Sequence, residues 1–191
     1  MASPFAQLLI LRASGYPLDH QRQYPQWELG TEALRSHLQA GVSGVILVGG
    51  SMTEVAARTA ELQSWAPQPL FLAADVEEGV GQWFYGGTRF PPPMALMAAS
   101  ADQAVAMGHI TAIEARSIGL NWLLAPVVDI NRNPQNPVIN VRAFGETAGE
   151  VMAGSRAFLW GVQSVEGVLT AAKHFPGHGD TVVDSHWHCQ R

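Results

Sequence analysis

The nine residues VSGVILVGG, at positions 42–50, decide the fold class of this chain. The run is short, apolar and rich in β-branched side chains, and it ends at two glycines, which is typical of a buried strand. Helical spacing precedes it over Glu32–Ala40, and a second helix is predicted over Glu54–Trp65 with Thr53 as its N-cap. A strand that is apolar on both faces needs helices on both sides, so this unit predicts a parallel sheet covered by helices.

The same alternation continues along the rest of the chain. Helical spacing marks Ala101–Ile118 and Glu150–Val165, and a further strand is expected to begin near Thr181. The other apolar runs predicted as strands are Leu8–Leu11, Leu70–Ala74, Leu120–Ile130 and Val168–Ala172. Neither an internal repeat nor a linker interrupts this order, so we expect a single domain.

Two architectures fit alternating strands and helices: the closed barrel and the open doubly wound sheet. A Gly-rich phosphate-binding fingerprint is absent after the first run, which disfavours a dinucleotide-binding sheet. Polar residues instead follow several predicted strands, at Asp75 and Glu77, Asp129–Arg132 and Lys173–His178. A barrel active site is built in this way. We therefore predict an α/β fold, an incomplete TIM-type (β/α) barrel with about the first five to six of eight strands.

Composition narrows the classes of partner. The chain has 191 residues, 47% hydrophobic and 14% charged, with a formal net charge of −5. This acidic balance without a basic tract disfavours nucleic acid as a partner. No run approaches the roughly 18 apolar residues of a membrane span, so no membrane association is expected. The single cysteine, Cys189, rules out an internal disulfide, and we expect a cytoplasmic location.

The segment KHFPGHGDT, at residues 173–181, is followed by Asp184, Ser185 and His186 and carries the candidate chemistry. Three histidines, two aspartates and the only lysine of the chain lie within these fourteen positions. Asp184 and His186 are two residues apart, so in an extended loop they lie on the same side, where the carboxylate would orient the imidazole for proton transfer. Lys173 and His174 can donate hydrogen bonds to hydroxyl groups.

A metal site is the alternative interpretation of these histidines. His174 and His178 stand four apart, and His186, His188 and Cys189 follow. The spacing matches no standard zinc pattern, and the proline and glycine between the first two disfavour a helix that would align them. We therefore expect neither a metal nor another cofactor.

The whole segment KHFPGHGDTVVDSH resembles the signature of family 3 glycoside hydrolases, in particular their bacterial β-N-acetylhexosaminidase branch. Residues 75–79 (DVEEG) resemble the D-x-E-G-G loop that follows the third strand in that family. Residues 126–131 (PVVDIN), 136–139 (NPVI) and 142–145 (RAFG) resemble the loop after its fourth strand. The resemblance covers nearly the whole chain in the family's order, and it implies that residues 1–191 are a partial N-terminal barrel domain.

The resemblance implies a role for each matching residue. The side chains expected to hold the hydroxyl groups of a terminal sugar are Asp75, Arg142, Lys173 and His174. His186 would be the general acid/base, oriented by Asp184, in a retaining reaction on β-linked N-acetylglucosamine. The expected partner is a small carbohydrate, and partner chains are not predicted. A β-glucosidase of the same family and a non-catalytic sugar-binding remnant are the alternatives.

Two departures from the family pattern qualify this expectation. The family's nucleophilic aspartate lies on a later strand, and no residue here matches it. We therefore expect a C-terminally truncated chain that does not hydrolyse glycosides alone. The family also tends to place an arginine where Trp83 stands, and Arg89 is a candidate replacement. For Trp83 itself, stacking on a sugar and packing of the loop are both open.

Overall fold

The computed structural model describes residues 5–184, which form one parallel sheet of five strands flanked by five α-helices. The strands are β1 (Ile10–Ser14), β2 (Gly44–Val48), β3 (Phe71–Ala74), β4 (Trp122–Leu123) and β5 (Leu169–Thr170). The helices are α1 (Thr31–Gln39), α2 (Met52–Trp65), α3 (Pro93–Ala99), α4 (Ala101–Ser117) and α5 (Ala148–Gln163).

The strands lie side by side in chain order, and every neighbouring pair is parallel. A doubly wound sheet reverses its strand order at a switch point, whereas a (β/α) barrel adds each strand next to the previous one. Within the described part of the chain no reversal occurs. The predicted α/β fold, with five consecutive strands of an incomplete TIM-type barrel, is therefore confirmed.

The start of α2 differs from the predicted one by two residues. Ser51, not Thr53, is the N-cap: its hydroxyl accepts a hydrogen bond from the Glu54 backbone N–H at 3.3 Å, and the Glu54 carboxylate accepts from the Ser51 backbone N–H at 2.8 Å. This reciprocal capping box satisfies two backbone donors that a Thr53 cap would leave unpaired.

The later elements also differ from the predicted bounds. The fourth strand is only Trp122–Leu123 instead of Leu120–Ile130, because the chain leaves the sheet before Pro126, which has no N–H for a ladder bond. Helix α3 lies in a methionine-rich stretch that was not predicted as a separate helix, and it begins at Pro93, a favoured first residue. The strand expected near Thr181 is absent from residues 181–184.

Helices α4 and α5 pack unusually closely against one another. A Cβ atom on Gly108 would lie 2.2 Å from the Phe158 carbonyl oxygen, and one on Gly161 would lie 2.1 Å from the Val105 carbonyl oxygen. Only glycine permits this approach at both positions. The contact fixes the helices that precede β4 and β5, and with them the loops that leave those strands.

Within residues 5–184, none of the helices is long and apolar enough to cross a membrane.

Candidate active site

The candidate site lies where β3, β4 and β5 end. Asp75 directly follows β3, and Glu77 lies two residues further on. Arg142 ends a 3₁₀ turn, Asn140–Arg142, in the long loop after β4. Lys173 follows β5 and forms a parallel bridge with Val127. Because the carboxyl ends of parallel strands meet at one edge, three distant parts of the sequence come together there.

Glu77 is the centre of this cluster. Its carboxylate is only 3% exposed and accepts hydrogen bonds from Arg142 Nε at 2.7 Å, from Arg142 Nη2 at 2.8 Å and from Lys173 Nζ at 2.5 Å. Burial alone raises the pKa of Glu77, but the hydrogen bond from Arg142 and the charges of Lys173 and Arg142 outweigh it, so the pKa lies below its usual value. Glu77 is therefore an ionised anchor for two cations.

The sequence interpretation missed Glu77 as a site residue. In the sequence Glu77 is one of several polar residues after the third strand and part of a family motif. Only the folded chain identifies Glu77, because its buried carboxylate pairs with two cations that are distant in sequence. Arg142 is 65 residues from Glu77, and Lys173 is 96 residues from it.

The hydrogen-bond capacity of the two cations is only partly used within the described chain. Lys173 has three N–H donors and pairs with Asp75 and Glu77. Arg142 has five donors, of which two bind Glu77 and one binds the Val138 carbonyl oxygen at 2.8 Å. One ammonium donor and two guanidinium donors are left for a ligand. Asp75, with a side chain 43% exposed, adds acceptor capacity.

A second carboxylate organises the loop after β5. Asp129 has a side chain that is 0% exposed, and its Oδ2 lies 2.6 Å from His174 Nδ1. The backbone N–H groups of His174 and His178 also donate to this carboxylate, at 3.2 and 2.6 Å. Burial raises the pKa of Asp129, but these hydrogen bonds outweigh it and hold the pKa below its usual value. Sequence analysis did not include Asp129 among the site residues.

A cavity of about 360 Å³ opens over the cluster, within the size range of small-ligand pockets. It is lined by Asp75, Glu77, Gln82, Trp83, Val138, Arg142, Lys173, His174 and His178. All four side chains expected to bind sugar therefore line one cavity. Two carboxylates and two permanent cations balance in charge around it, which suits an uncharged ligand rich in hydroxyl groups.

Only Asp184 of the expected catalytic pair lies within the described residues. Asp184 is half-buried and is not among the residues that line it. His186 lies outside the described residues, so the expected contact between the two stays a prediction.

The structure also places the residues around the unusual tryptophan. Trp83 lines the cavity and packs on the hydrophobic core as well, so both roles considered from the sequence are compatible with its position. Arg89 binds Glu78 at 2.9 Å and is not among the residues that line the cavity.

Over residues 5–184, histidine, cysteine and carboxylate side chains form no group of three or more that could hold a metal ion. His188, Cys189 and His186 of the alternative zinc interpretation lie outside that range.

An ordered parallel β/α sheet with a charge-balanced pocket at its carboxyl edge defines a barrel protein with a site for a small polar ligand. Comparison with known sequences gives the family. Residues 21–191 match the family described as "Glycosyl hydrolase family 3 N terminal domain", and the chain belongs to this family.

Individual relatives agree with this assignment. The chain is 38% identical over 146 residues to a beta-N-acetylglucosaminidase/beta-glucosidase of Cellulomonas fimi. The aligned region covers 76% of this chain and 26% of that protein. A solved family 3 beta-N-acetylglucosaminidase from Paenibacillus sp. str. FPU-7 superposes with a TM-score of 0.78 at 37% identity, over 95% of this chain and 34% of that one.

A second solved structure, the beta-glucoside phosphorylase BglX bound to 2FGlc, superposes with a TM-score of 0.81 at 27% identity, over 95% of this chain and 31% of that one. The chain spans between 23% and 46% of the length of the first curated relatives it matches. The family assignment therefore applies to the chain, while the activity of a whole protein is a matter for proposal.

Proposed function

We propose that this chain provides the glycone pocket of a glycosidase that removes terminal β-linked N-acetylglucosamine with retention of configuration. The observation that carries the proposal is the cavity at the carboxyl edge of the sheet, where Asp75, Arg142 and Lys173 surround a buried Glu77. The hexosaminidase names of several relatives support the choice of sugar.

The pocket suits a pyranose because it offers both hydrogen-bond donors and hydrogen-bond acceptors. A sugar hydroxyl both donates and accepts one hydrogen bond or more. Lys173 and Arg142 supply donors, while Asp75 supplies acceptors on a half-exposed carboxylate. Trp83 adds an aromatic wall on which an apolar ring face can pack. Charged hydrogen bonds of this kind contribute about 1.5–3 kcal/mol each.

The chemical steps are assigned by the family resemblance. His186 would protonate the departing oxygen, with Asp184 orienting its ring, and an aspartate from a later strand would attack the anomeric carbon. An imidazole in the acid role avoids a second negative charge beside that nucleophile. On this proposal the described pocket binds sugar without cleaving it.

The test is ligand binding to residues 1–191, measured by titration calorimetry with N-acetylglucosamine. We expect saturable binding that Asp75→Asn and Lys173→Met weaken by about 10-fold or more, because each removes a charged hydrogen-bond partner. Arg156→Gln is the matched control, since Arg156 is an exposed cation on α5 away from the cavity. Equal affinity in all four proteins would contradict the proposal.

A β-glucosidase is the second candidate, because the Cellulomonas fimi relative is named for both activities. Titration with glucose beside N-acetylglucosamine separates the two: tighter binding of glucose would favour the glucosidase. A parallel assay with chromogenic β-N-acetylglucosaminide and β-glucoside checks that the described pocket binds sugar without cleaving it. Turnover of either substrate by residues 1–191 at the rate of an intact enzyme would contradict it.

A further inference from the structure

Asp129 does not line the cavity itself but contacts two residues that do, His174 and His178. Its buried carboxylate accepts three hydrogen bonds: from the His174 ring at 2.6 Å, from the His174 backbone N–H at 3.2 Å and from the His178 backbone N–H at 2.6 Å. One carboxylate therefore fixes both the path of the loop after β5 and the orientation of one imidazole that lines the cavity.

We propose that Asp129 is a positioning residue that, in the neutral form of the His174 imidazole, keeps the proton on Nδ1 and leaves Nε2 toward the pocket as a hydrogen-bond acceptor. The assignment of that acceptor to a sugar hydroxyl rests on the proposed function. The tautomer itself does not, because it follows from the contact between two side chains of the chain.

The tautomer follows from which of the two contacting groups can donate a hydrogen bond. Asp129 is ionised near neutral pH, because its pKa is held below the usual value, and an ionised carboxylate can only accept. At a separation of 2.6 Å, His174 Nδ1 must then be the donor. A neutral imidazole carries one N–H, so its second nitrogen, Nε2, has a free lone pair. The two nitrogens of an imidazole point in different directions, so Nε2 is not directed at the Asp129 carboxylate that Nδ1 contacts.

An acceptor at this position has a consequence for the ligand. The permanent cations of the pocket, Lys173 and Arg142, can only donate hydrogen bonds. A hydroxyl that accepts from one of them must direct its own proton to an acceptor. His174 Nε2 offers that acceptor without a further negative charge, whereas a second exposed carboxylate would upset the charge balance of the pocket. The hydroxyl at His174 therefore acts as a donor.

The loop geometry supports the same role. Gly177 has φ +102°, and a Cβ atom there would lie 2.9 Å from Asp129 Oδ1. A Cβ atom on Gly179 would lie 1.8 Å from the Ile130 carbonyl oxygen. Both positions require glycine because the loop folds directly over Asp129 and the residue after it. The chain is thus shaped to bring His174 and His178 onto one carboxylate.

The experiment is long-range ¹H–¹⁵N correlation NMR of histidine side chains in residues 1–191, at about pH 8.5 where an ordinary imidazole is neutral. His174 is assigned with His174→Gln. We expect wild-type His174 to show a protonated Nδ1 and an unprotonated Nε2. In Asp129→Asn the amide group can donate to Nδ1, so a large share of His174 should change to the Nε2–H form.

Asp180→Asn is the matched control. Asp180 is an exposed carboxylate that lines a smaller cavity shared with Asp129 and His174, so its loss changes the local charge by the same amount. The wild-type tautomer should persist in this variant. A protonated Nε2 in wild type would overturn the proposal even if Asp129→Asn does not fold. An unchanged tautomer in folded Asp129→Asn, or the same change in Asp180→Asn, would also overturn it.

Sugar binding is read separately in the same samples. We expect Asp129→Asn to weaken N-acetylglucosamine binding by about 5-fold, the size of one neutral hydrogen bond. If the tautomers behave as expected but no protein binds the sugar, the positioning role stands and the proposed function fails.

Discussion

The two ends of the sheet enclose cavities of nearly equal volume and opposite chemistry. The carboxyl end has the cavity of about 360 Å³ around Glu77. Seven of its nine lining residues have a charged, imidazole or amide side chain. The amino end has a cavity of about 380 Å³. It is lined by Gln7, Leu8, Ile10, Ser43, Phe71, Trp122, Leu169 and Thr170. The same strands therefore present a binding surface at one end and an apolar surface at the other.

The difference shows that size alone does not identify a site in this molecule. At the amino end Phe71 and Trp122 meet edge to face with ring centroids 5.7 Å apart, and Leu169 is 53% exposed. Such contacts stabilise by burying apolar area without direction. At the carboxyl end, a buried charge destabilises the fold unless an opposite charge pairs with it. Each ion pair also holds its two side chains in one orientation. Stability and ligand binding should therefore respond differently to substitution at the two ends.

The largest effect is expected for Glu77→Gln at the carboxyl end. The variant removes the charge that pairs with Arg142 and Lys173 in a site where the carboxylate is 3% exposed. Breaking a buried ion pair costs about 3–5 kcal/mol because the partners lose compensation. Urea unfolding followed by circular dichroism measures the change in the free energy of unfolding.

The matched control is Glu78→Gln. Glu78 also pairs with an arginine, Arg89, at 2.9 Å, but the arginine side chain is 65% exposed, so water compensates its charge when the carboxylate is lost. Ion pairs that water screens contribute at most about 1 kcal/mol, so this variant should unfold nearly as wild type does. An equal decrease in the free energy of unfolding for the two variants would show that burial of the Glu77 cluster has no added effect. It would also contradict the contrast between the two ends of the sheet.

Acid should weaken the carboxyl end next. The pKa values of Glu77 and Asp129 in the folded chain lie below their usual values of 4.5 and 3.8. Their stabilisation is therefore complete above those usual values and is lost as the pH falls through the depressed ones. Thermal unfolding between about pH 7 and pH 3 should show a falling midpoint below about pH 4.5.

Glu77→Gln provides the comparison for this acid effect, because it has already lost one of the two groups. We expect its unfolding midpoint to fall less steeply with acid than that of wild type. A wild-type midpoint that stays constant down to pH 3 would be inconsistent with depressed carboxyl pKa values.

Much of this contrast could be predicted from the sequence. Continuous apolar runs such as residues 42–48 identified a parallel sheet, and polar residues after the runs identified the edge that binds. Asp75, Arg142, Lys173 and His174 were expected to meet, and they line one cavity. This succeeded because strand ends converge in a barrel and because the motifs around these residues are specific.

The parts that the sequence could not supply depend on burial and on contacts between distant residues. Glu77 and Asp129 look like other acidic residues until the fold removes them from water. The short β4 follows from chain direction around Pro126, which hydrophobicity does not encode. Ser51 caps α2 through a reciprocal pair of hydrogen bonds with Glu54. Thr53 has a side chain that can also cap a helix, so residue type alone does not distinguish the two positions.

The amino end is probed by Phe71→Ala. Because Phe71 is 43% exposed and packs on Trp122, its loss should lower the free energy of unfolding by about 1–2 kcal/mol. Affinity for N-acetylglucosamine should stay within about twofold of wild type. Tyr85→Ala is the control, since Tyr85 is 86% exposed and should change stability by less than about 0.5 kcal/mol. A loss of sugar binding in Phe71→Ala would contradict the separation of the two ends.

The smallest effect is expected at Trp83, where the two kinds of surface meet in one side chain. Its ring lines the polar cavity and packs on the core, and its indole Nε1 is buried without a hydrogen-bond partner in the described chain. Trp83→Leu removes the aromatic wall and should weaken N-acetylglucosamine binding by about 5-fold.

Trp83→Phe distinguishes a sugar-stacking wall from simple loop packing. It keeps an aromatic face but removes the unpaired N–H, so affinity should stay within about twofold of wild type while stability is unchanged or slightly raised. Calorimetric titration and urea unfolding of both variants measure the two properties. If Leu and Phe lower stability alike and leave affinity unchanged, Trp83 belongs to the apolar framework rather than to the pocket.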